Sequence, residues 1–138
     1  SQRIFHVGPL GTGMVMKTIN NSMVLIYVRC LTELIPLAKK AGLPLKTALD
    51  ILCTGPAGLP LVSDRIPKIL GDDATVGFTN SGTAKDNDVF RKILHHFDMR
   101  SPMLEGFDRQ RAFSEKMGLA ERDPAEVIRA AYDVSEAT

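Results

Sequence analysis

Apolar residues recur at steps of three and four along Met16, Ile19, Met23, Ile26, Cys30, Leu34, Leu37 and Ala41, the spacing of one helix face. This predicts a single helix over Gly13 to Ala41. A second apolar row, Val24, Val28, Leu31, Ile35 and Ala38, lies on another side. A helix apolar on two sides is expected to be packed on both, which makes it the central element. Lys39 and Lys40 in its last turn, Gly42 beyond and Pro44 after that form a stop suited to the negative end of the helix dipole. Pro36 removes one backbone bond and is expected to bend the helix near Thr32.

Downstream the same spacing continues in shorter runs. Leu45, Ala48, Leu49 and Leu52 mark a second helix, closed by Gly55, Pro56, Gly58 and Pro60. A third is expected over Leu61 to Leu70 and a loop over Gly71 to Gly77. Thr79 to Phe97 carries Ala84, Val89, Phe90, Ile93, Leu94 and Phe97 at helical spacing. Ser101 and Pro102 open a helix expected to end near Gly118. The last helix starts with Asp123 as cap, Pro124 in the first position and Glu126 reaching back in a capping-box-like arrangement. The expected fold is all-α, a multi-helix domain around one long central helix.

Composition narrows the function classes. The 138 residues are 44% hydrophobic and 24% charged, which suits one domain of ordinary size. Lys and Arg (17) nearly cancel Asp and Glu (16), leaving a net charge of +1 and no broad field to draw in nucleic acid or an anionic membrane. No basic recognition helix stands out, which argues against a helix-turn-helix regulator. Met23 to Ala38 is interrupted by Arg29, Glu33 and Pro36, and is read as a buried helix that falls short of a membrane span. Cys30 and Cys53 are too few for a disulfide framework or a zinc cluster, so a reducing, cytoplasmic setting is expected.

The most informative residues come first. Ile4, Phe5, His6 and Val7 read as the end of a strand, followed by Gly8-Pro9-Leu10-Gly11-Thr12-Gly13 and the long helix. A dinucleotide fingerprint is opposed by the glycine spacing, GxxGxG instead of GxGxxG. The following helix is also too long for a crossover, and no second strand completes a βαβ unit. Glu33 lies at a suitable distance downstream but inside the helix, where it cannot reach a ribose. The better reading is a glycine-rich helix entry that lets a backbone or a small anion approach the amide groups. Lys17 lies about one turn inside, with Asn21 four residues later on the same face. From residue chemistry alone, Lys17 is either an ordinary solvated lysine or half of a polar pair with Asn21 that holds a hydroxyl or carbonyl oxygen.

The run Gly8-Pro9-Leu10-Gly11-Thr12-Gly13-Met14-Val15-Met16-Lys17-Thr18-Ile19-Asn20-Asn21 resembles the GxxGxGxxxKxxNN segment of the β-hydroxyacid dehydrogenase family, of which 3-hydroxyisobutyrate dehydrogenase is the best-known member. The resemblance continues through Glu33-Leu34, Ala41-Gly42-Leu43, Phe78, Lys85-Asp86 and Asp123, nearly the whole chain. It implies the helical C-terminal domain found in 6-phosphogluconate and hydroxyacid dehydrogenases. Residues 1–138 are then the catalytic and dimerisation domain, with 1–8 the end of the interdomain connection and the N-terminal Rossmann domain absent from this chain.

Carried over by residue, the resemblance makes Lys17 the acid/base that exchanges a proton with the substrate hydroxyl, with Asn21 orienting that oxygen. It assigns Gly13 and Asn20 to substrate binding, and Phe78, Lys85 and Asp86 to the cofactor side. The cofactor is NAD or NADP, held mainly by the other domain, and the substrate a small β-hydroxyacid or semialdehyde. A base lysine needs a lowered pKa, which burial, a nearby cation such as Lys85 and the positive helix end all favour. The pattern departs after Lys85-Asp86, where Asn87 and Asp88 stand in place of a common apolar residue. Without the resemblance, Lys85 and Asp86 read equally as solvated helix residues. His95 and His96 are adjacent and diverge on a helix, poor geometry for one metal, so no metal site is expected. The partners expected are a small hydroxyacid and a second copy of the chain. The alternative from another class is a non-catalytic helical dimerisation module.

Overall fold

The computed structural model describes Gly8 and residues 11–135, so the strand expected at Ile4 to Val7 and most of the connection over 1–8 lie outside the described residues. Helix α1 runs Thr12–Lys40, within a residue of the expected bounds at each end. It continues through Pro36 without a break, and Thr32 Oγ1 donates to the Val28 carbonyl in the turn below. Gly42 takes a left-handed φ of 78° after the C-cap, a conformation that a Cβ would strain. Helices α2 (Leu45–Thr54) and α3 (Pro60–Leu70) follow, then α4 (Asn80–His96), capped by Thr79 Oγ1 accepting from Gly82 N at 2.9 Å.

The helix expected from Pro102 to near Gly118 is two, α5 (Pro102–Glu105) and α6 (Phe107–Lys116), broken at Gly106. The Arg29 guanidinium of α1 occupies the space that a side chain at Gly106 would need. This close approach is a tertiary demand that the local spacing did not show. Helix α7 is Pro124–Asp133. Asp123 caps it as expected, accepting from Ala125 N at 3.0 Å, but Glu126 does not complete a capping box. It accepts instead from Arg122 Nε at 2.8 Å, because a guanidinium in reach is the stronger, charge-assisted donor.

The larger core joins Val28, Leu31 and Ile35 of α1 to Leu49, Val62, Ile69, Ala125, Ile128 and Ala131. Small alanines on α7 let its backbone lie close to α1, and each fully buried large side chain contributes about 1.5–3 kcal/mol. A second, smaller cluster unites Leu25 with Phe90, Leu104 and Phe107. The joint between α4 and the α5–α6 pair is otherwise polar. Asn87, 3% exposed, donates to the Leu104 carbonyl, Arg91 reaches Asp108, and Asp88 pairs with Arg91 and Arg111. This accounts for polar residues at 87 and 88, where the family pattern is commonly apolar.

Within the single chain α1 is covered on one of its two apolar sides. The row Val28, Leu31 and Ile35 is buried, but in the other row Ile19 is 51%, Met23 65%, Leu34 65% and Leu37 67% exposed. Six shorter helices on one side leave the opposite face of a 29-residue helix open. By length and composition α1 also meets the measure of a helix able to cross a membrane, contrary to the expectation from Arg29, Glu33 and Pro36. Its inner face is taken up by the other helices, and Arg29 is paired to Glu33 at 2.6 Å.

Candidate active site

The site is assembled from α1, α3 and α4. The N-cap of α1 is Gly11, in a left-handed conformation with no side-chain cap, and the first turn carries no acidic residue. Gly13, Lys17 and Asn20 are exposed, whereas Asn21 is half-buried. Across from Asn21 stands the start of α4, fixed by the turn that precedes α7. Asn80 Nδ2 donates to the carbonyls of Leu119 (2.7 Å) and Arg122 (2.8 Å), and its backbone N–H also donates to Arg122 O. These bonds, with the Thr79 cap, set the direction in which Thr83 and Asp86 face.

The loop between α3 and α4 brings Phe78 to the same place. Lys68 Nζ donates to Thr75 Oγ1, and Asp73 Oδ1 accepts from both the hydroxyl and the backbone N–H of Thr75. The Thr75 hydroxyl, its N–H and then Lys68 hold the Asp73 carboxyl down at about 2, so this clasp stays ionised well into the acid range. Arg122 donates to Ala74 O at 2.7 Å.

Between these elements lies a cavity of about 420 Å³ lined by Asn21, Val24, Leu25, Leu61, Phe78, Gly82, Thr83 and Asp86. One side is apolar and the rim carries an amide, a hydroxyl and a carboxylate, the mixed lining of a small-molecule site. Three residues named from the sequence, Asn21, Phe78 and Asp86, therefore meet in one cavity. Gly13, Lys17, Asn20 and Lys85 do not line it. Lys17 sits one turn, about 6 Å along the axis, toward the N-terminus from Asn21. It falls between the two stretches of α1 that line hollows: the 420 Å³ cavity, and another of about 530 Å³ formed by Gly11, Thr12, Met14 and Val15 with Val89, Lys92, Ile93, His96 and Phe97. The burial that an acid/base lysine needs is not supplied by the described residues. Leu61 and Thr83 escaped the sequence reading. Thr83 lies three residues before Asp86, on the same helix face, so its spacing carried the signal; Leu61 comes from another helix and carried none. His95 and His96 are exposed, and the described residues contain no group of three or more metal-ligating side chains.

Comparisons with known proteins define the class and then the family. The fold matches that of Mycobacterium tuberculosis 3-hydroxyisobutyrate dehydrogenase with L-serine, with a TM-score of 0.77 at 21% identity over 93% of this chain and 46% of that one. In sequence the chain is 28% identical over 95 residues to an uncharacterized oxidoreductase of Synechocystis sp., covering 69% of this chain and 33% of that protein. The fold class is thus that of the region matched in the Mycobacterium tuberculosis dehydrogenase. The family model described as NAD-binding of NADP-dependent 3-hydroxyisobutyrate dehydrogenase matches residues 11–131. The chain belongs to that family of NAD(P)-binding, 3-hydroxyisobutyrate dehydrogenase-like oxidoreductases. It spans less than half the length of the relatives it matches.

Proposed function

We propose that this chain is the helical half of an NAD(P)-dependent dehydrogenase active site for a small β-hydroxyacid or semialdehyde. The observation that carries this reading is the convergence of Asn21, Phe78 and Asp86 on one cavity, with Lys17 one turn from Asn21. Lys17 Nζ takes the proton of the substrate hydroxyl during oxidation and returns it during reduction. Asn21 holds the same oxygen by its amide. Gly13 and Asn20, both exposed near Lys17, complete the substrate side. The Phe78 ring forms an apolar wall suited to the nicotinamide face, and Lys85 and Asp86 meet polar groups of the cofactor. NAD(P), when bound, supplies the hydride acceptor or donor. A mixed apolar and polar cavity of this size fits one ring beside a small acid. The length of a dinucleotide calls for another surface, so we infer that a nucleotide-binding domain covers this face and gives Lys17 the desolvation that a base requires. The two free cysteines suit a reducing cytoplasm.

The test compares the 138-residue chain with the same chain joined to a Rossmann domain of the family. The joined protein is expected to oxidise a 3-hydroxyacid with NAD or NADP, followed at the nicotinamide absorbance, while the chain alone gives no turnover. Turnover by the chain alone, or none by the joined protein over a panel of small 3-hydroxyacids, contradicts the proposal.

A second copy of the chain is the proposed cover for the open face of α1. Met23 and Leu34 lie on this face, both more than half exposed. Light scattering at tens of micromolar, roughly where obligate dimers are intact, is expected to show a dimer or larger homo-oligomer. Met23→Glu together with Leu34→Glu is expected to return it to a monomer with unchanged helicity. A monomeric parent chain leaves the face for another partner.

A further inference from the structure

Arg65 projects from α3, one turn beyond the cavity residue Leu61, and its guanidinium carbon lies 4.9 Å from the centre of the Phe78 ring. Its Nε stands 4.0 Å from Asp123 Oδ1, and the two side chains are 21% and 1% exposed. The same Asp123 accepts from Gly77 N at 3.1 Å through Oδ2 and caps α7 through Oδ1. Gly77, immediately before Phe78, is backed by both groups: a Cβ there would come within 3.9 Å of Arg65 Nη2 and 3.5 Å of Asp123 Oδ2.

The arrangement is a chain of contacts from the α7 cap to the wall of the cavity. The Arg65 Nε is buried and makes no hydrogen bond, and the Asp123 carboxylate is the opposite charge that faces it. A planar guanidinium against an aromatic face is a favourable contact that lysine reproduces only in part. Phe78 is 36% exposed and sits at the end of a loop.

We propose that Arg65, backed by Asp123, is a positioning residue that holds the Phe78 ring as a wall of the 420 Å³ cavity and so presets the surface offered to the nicotinamide. The proposal rests on the assignment of Phe78 to the cofactor side. The sequence contains no tryptophan, so Phe78→Trp introduces a single reporter at the wall. In this background Arg65→Gln is expected to shift the emission to the red and to raise quenching by acrylamide, with Arg65→Lys intermediate. Arg65→Lys keeps the buried charge and carries the test if the glutamine variant does not fold. Identical quenching in the parent and the folded variants overturns the proposal.

The second arm uses the chain joined to its nucleotide-binding domain, with Phe78 intact. Arg65→Gln is expected to raise the dinucleotide KM about three- to tenfold, the scale of one cation–ring contact, while kcat falls less. Arg65→Lys is expected to restore part of the loss. A released reporter with an unchanged KM retains the contact but overturns the role toward the cofactor, and with it the assignment of Phe78. An unchanged reporter with an altered KM overturns the positioning role and leaves that assignment standing.

Discussion

Lys17→Ala, made in the chain joined to its nucleotide-binding domain, is expected to lower kcat about a hundred- to ten-thousandfold, the usual loss for a positioned acid/base. Folding should not change, because Lys17 is exposed on α1 and no core residue depends on it. Lys17→Arg is expected to be nearly as damaging. A guanidinium keeps the positive charge but does not give up its proton near neutral pH, so it cannot accept the one leaving the substrate hydroxyl. Asn21→Ala should cost less, through misorientation of the same oxygen. Steady-state kinetics with thermal melts as control checks the series. Near-normal turnover by Lys17→Arg would reduce Lys17 to an electrostatic role and move proton transfer elsewhere. Because the described residues leave Lys17 open to water, the series also reads out whether a second domain completes the site.

Asp123→Ala is expected to have the largest effect on stability. The carboxylate is fully buried and holds Ala125 N, Gly77 N and the Arg65 guanidinium at once. Loss of an aspartate cap costs about 1 kcal/mol, and a part-buried amide left unsatisfied costs about 1–3 kcal/mol more. A total of about 2–4 kcal/mol corresponds to a fall in Tm on the order of 10 °C for a domain of this size. Asp123→Asn leaves one acceptor oxygen where the carboxylate uses two, so it keeps either the α7 cap at Ala125 N or the bond from Gly77 N, while its NH2 faces the other N–H and the charge facing Arg65 is gone. Calorimetry is expected to place the asparagine variant between the parent and the alanine variant. An asparagine variant as stable as the parent contradicts the role of both carboxylate oxygens as acceptors.

The helices were legible because helix formation is a local periodicity. The steps of three and four from Met16 to Ala41 and the Lys39-Lys40-Gly42 stop bounded α1 to within a residue. Asp123-Pro124 marked the start of α7 just as clearly. The run from Gly8 to Asn21, with Phe78 and Lys85-Asp86, was enough to suggest a family, and the match over residues 11–131 establishes it. Local pattern failed wherever a distant residue intervened. The space beside Gly106 is taken by Arg29, 77 positions earlier in the chain, which leaves no room for a side chain there.

The sequence by itself determined that the chain is helical and where its longest helix begins and ends, since both are written in local spacing. Only the tertiary structure decided which apolar row of α1 faces inward, because two rows of equal apolarity are distinguished by where α7 and its small alanines can pack. It also decided that Asn21, Phe78 and Asp86 share a cavity with Leu61 and Thr83, and that Arg65 and Asp123 stand behind Phe78. Residues so far apart in the chain meet only when loops and caps fix the angles between helices, and no period along the sequence records those angles.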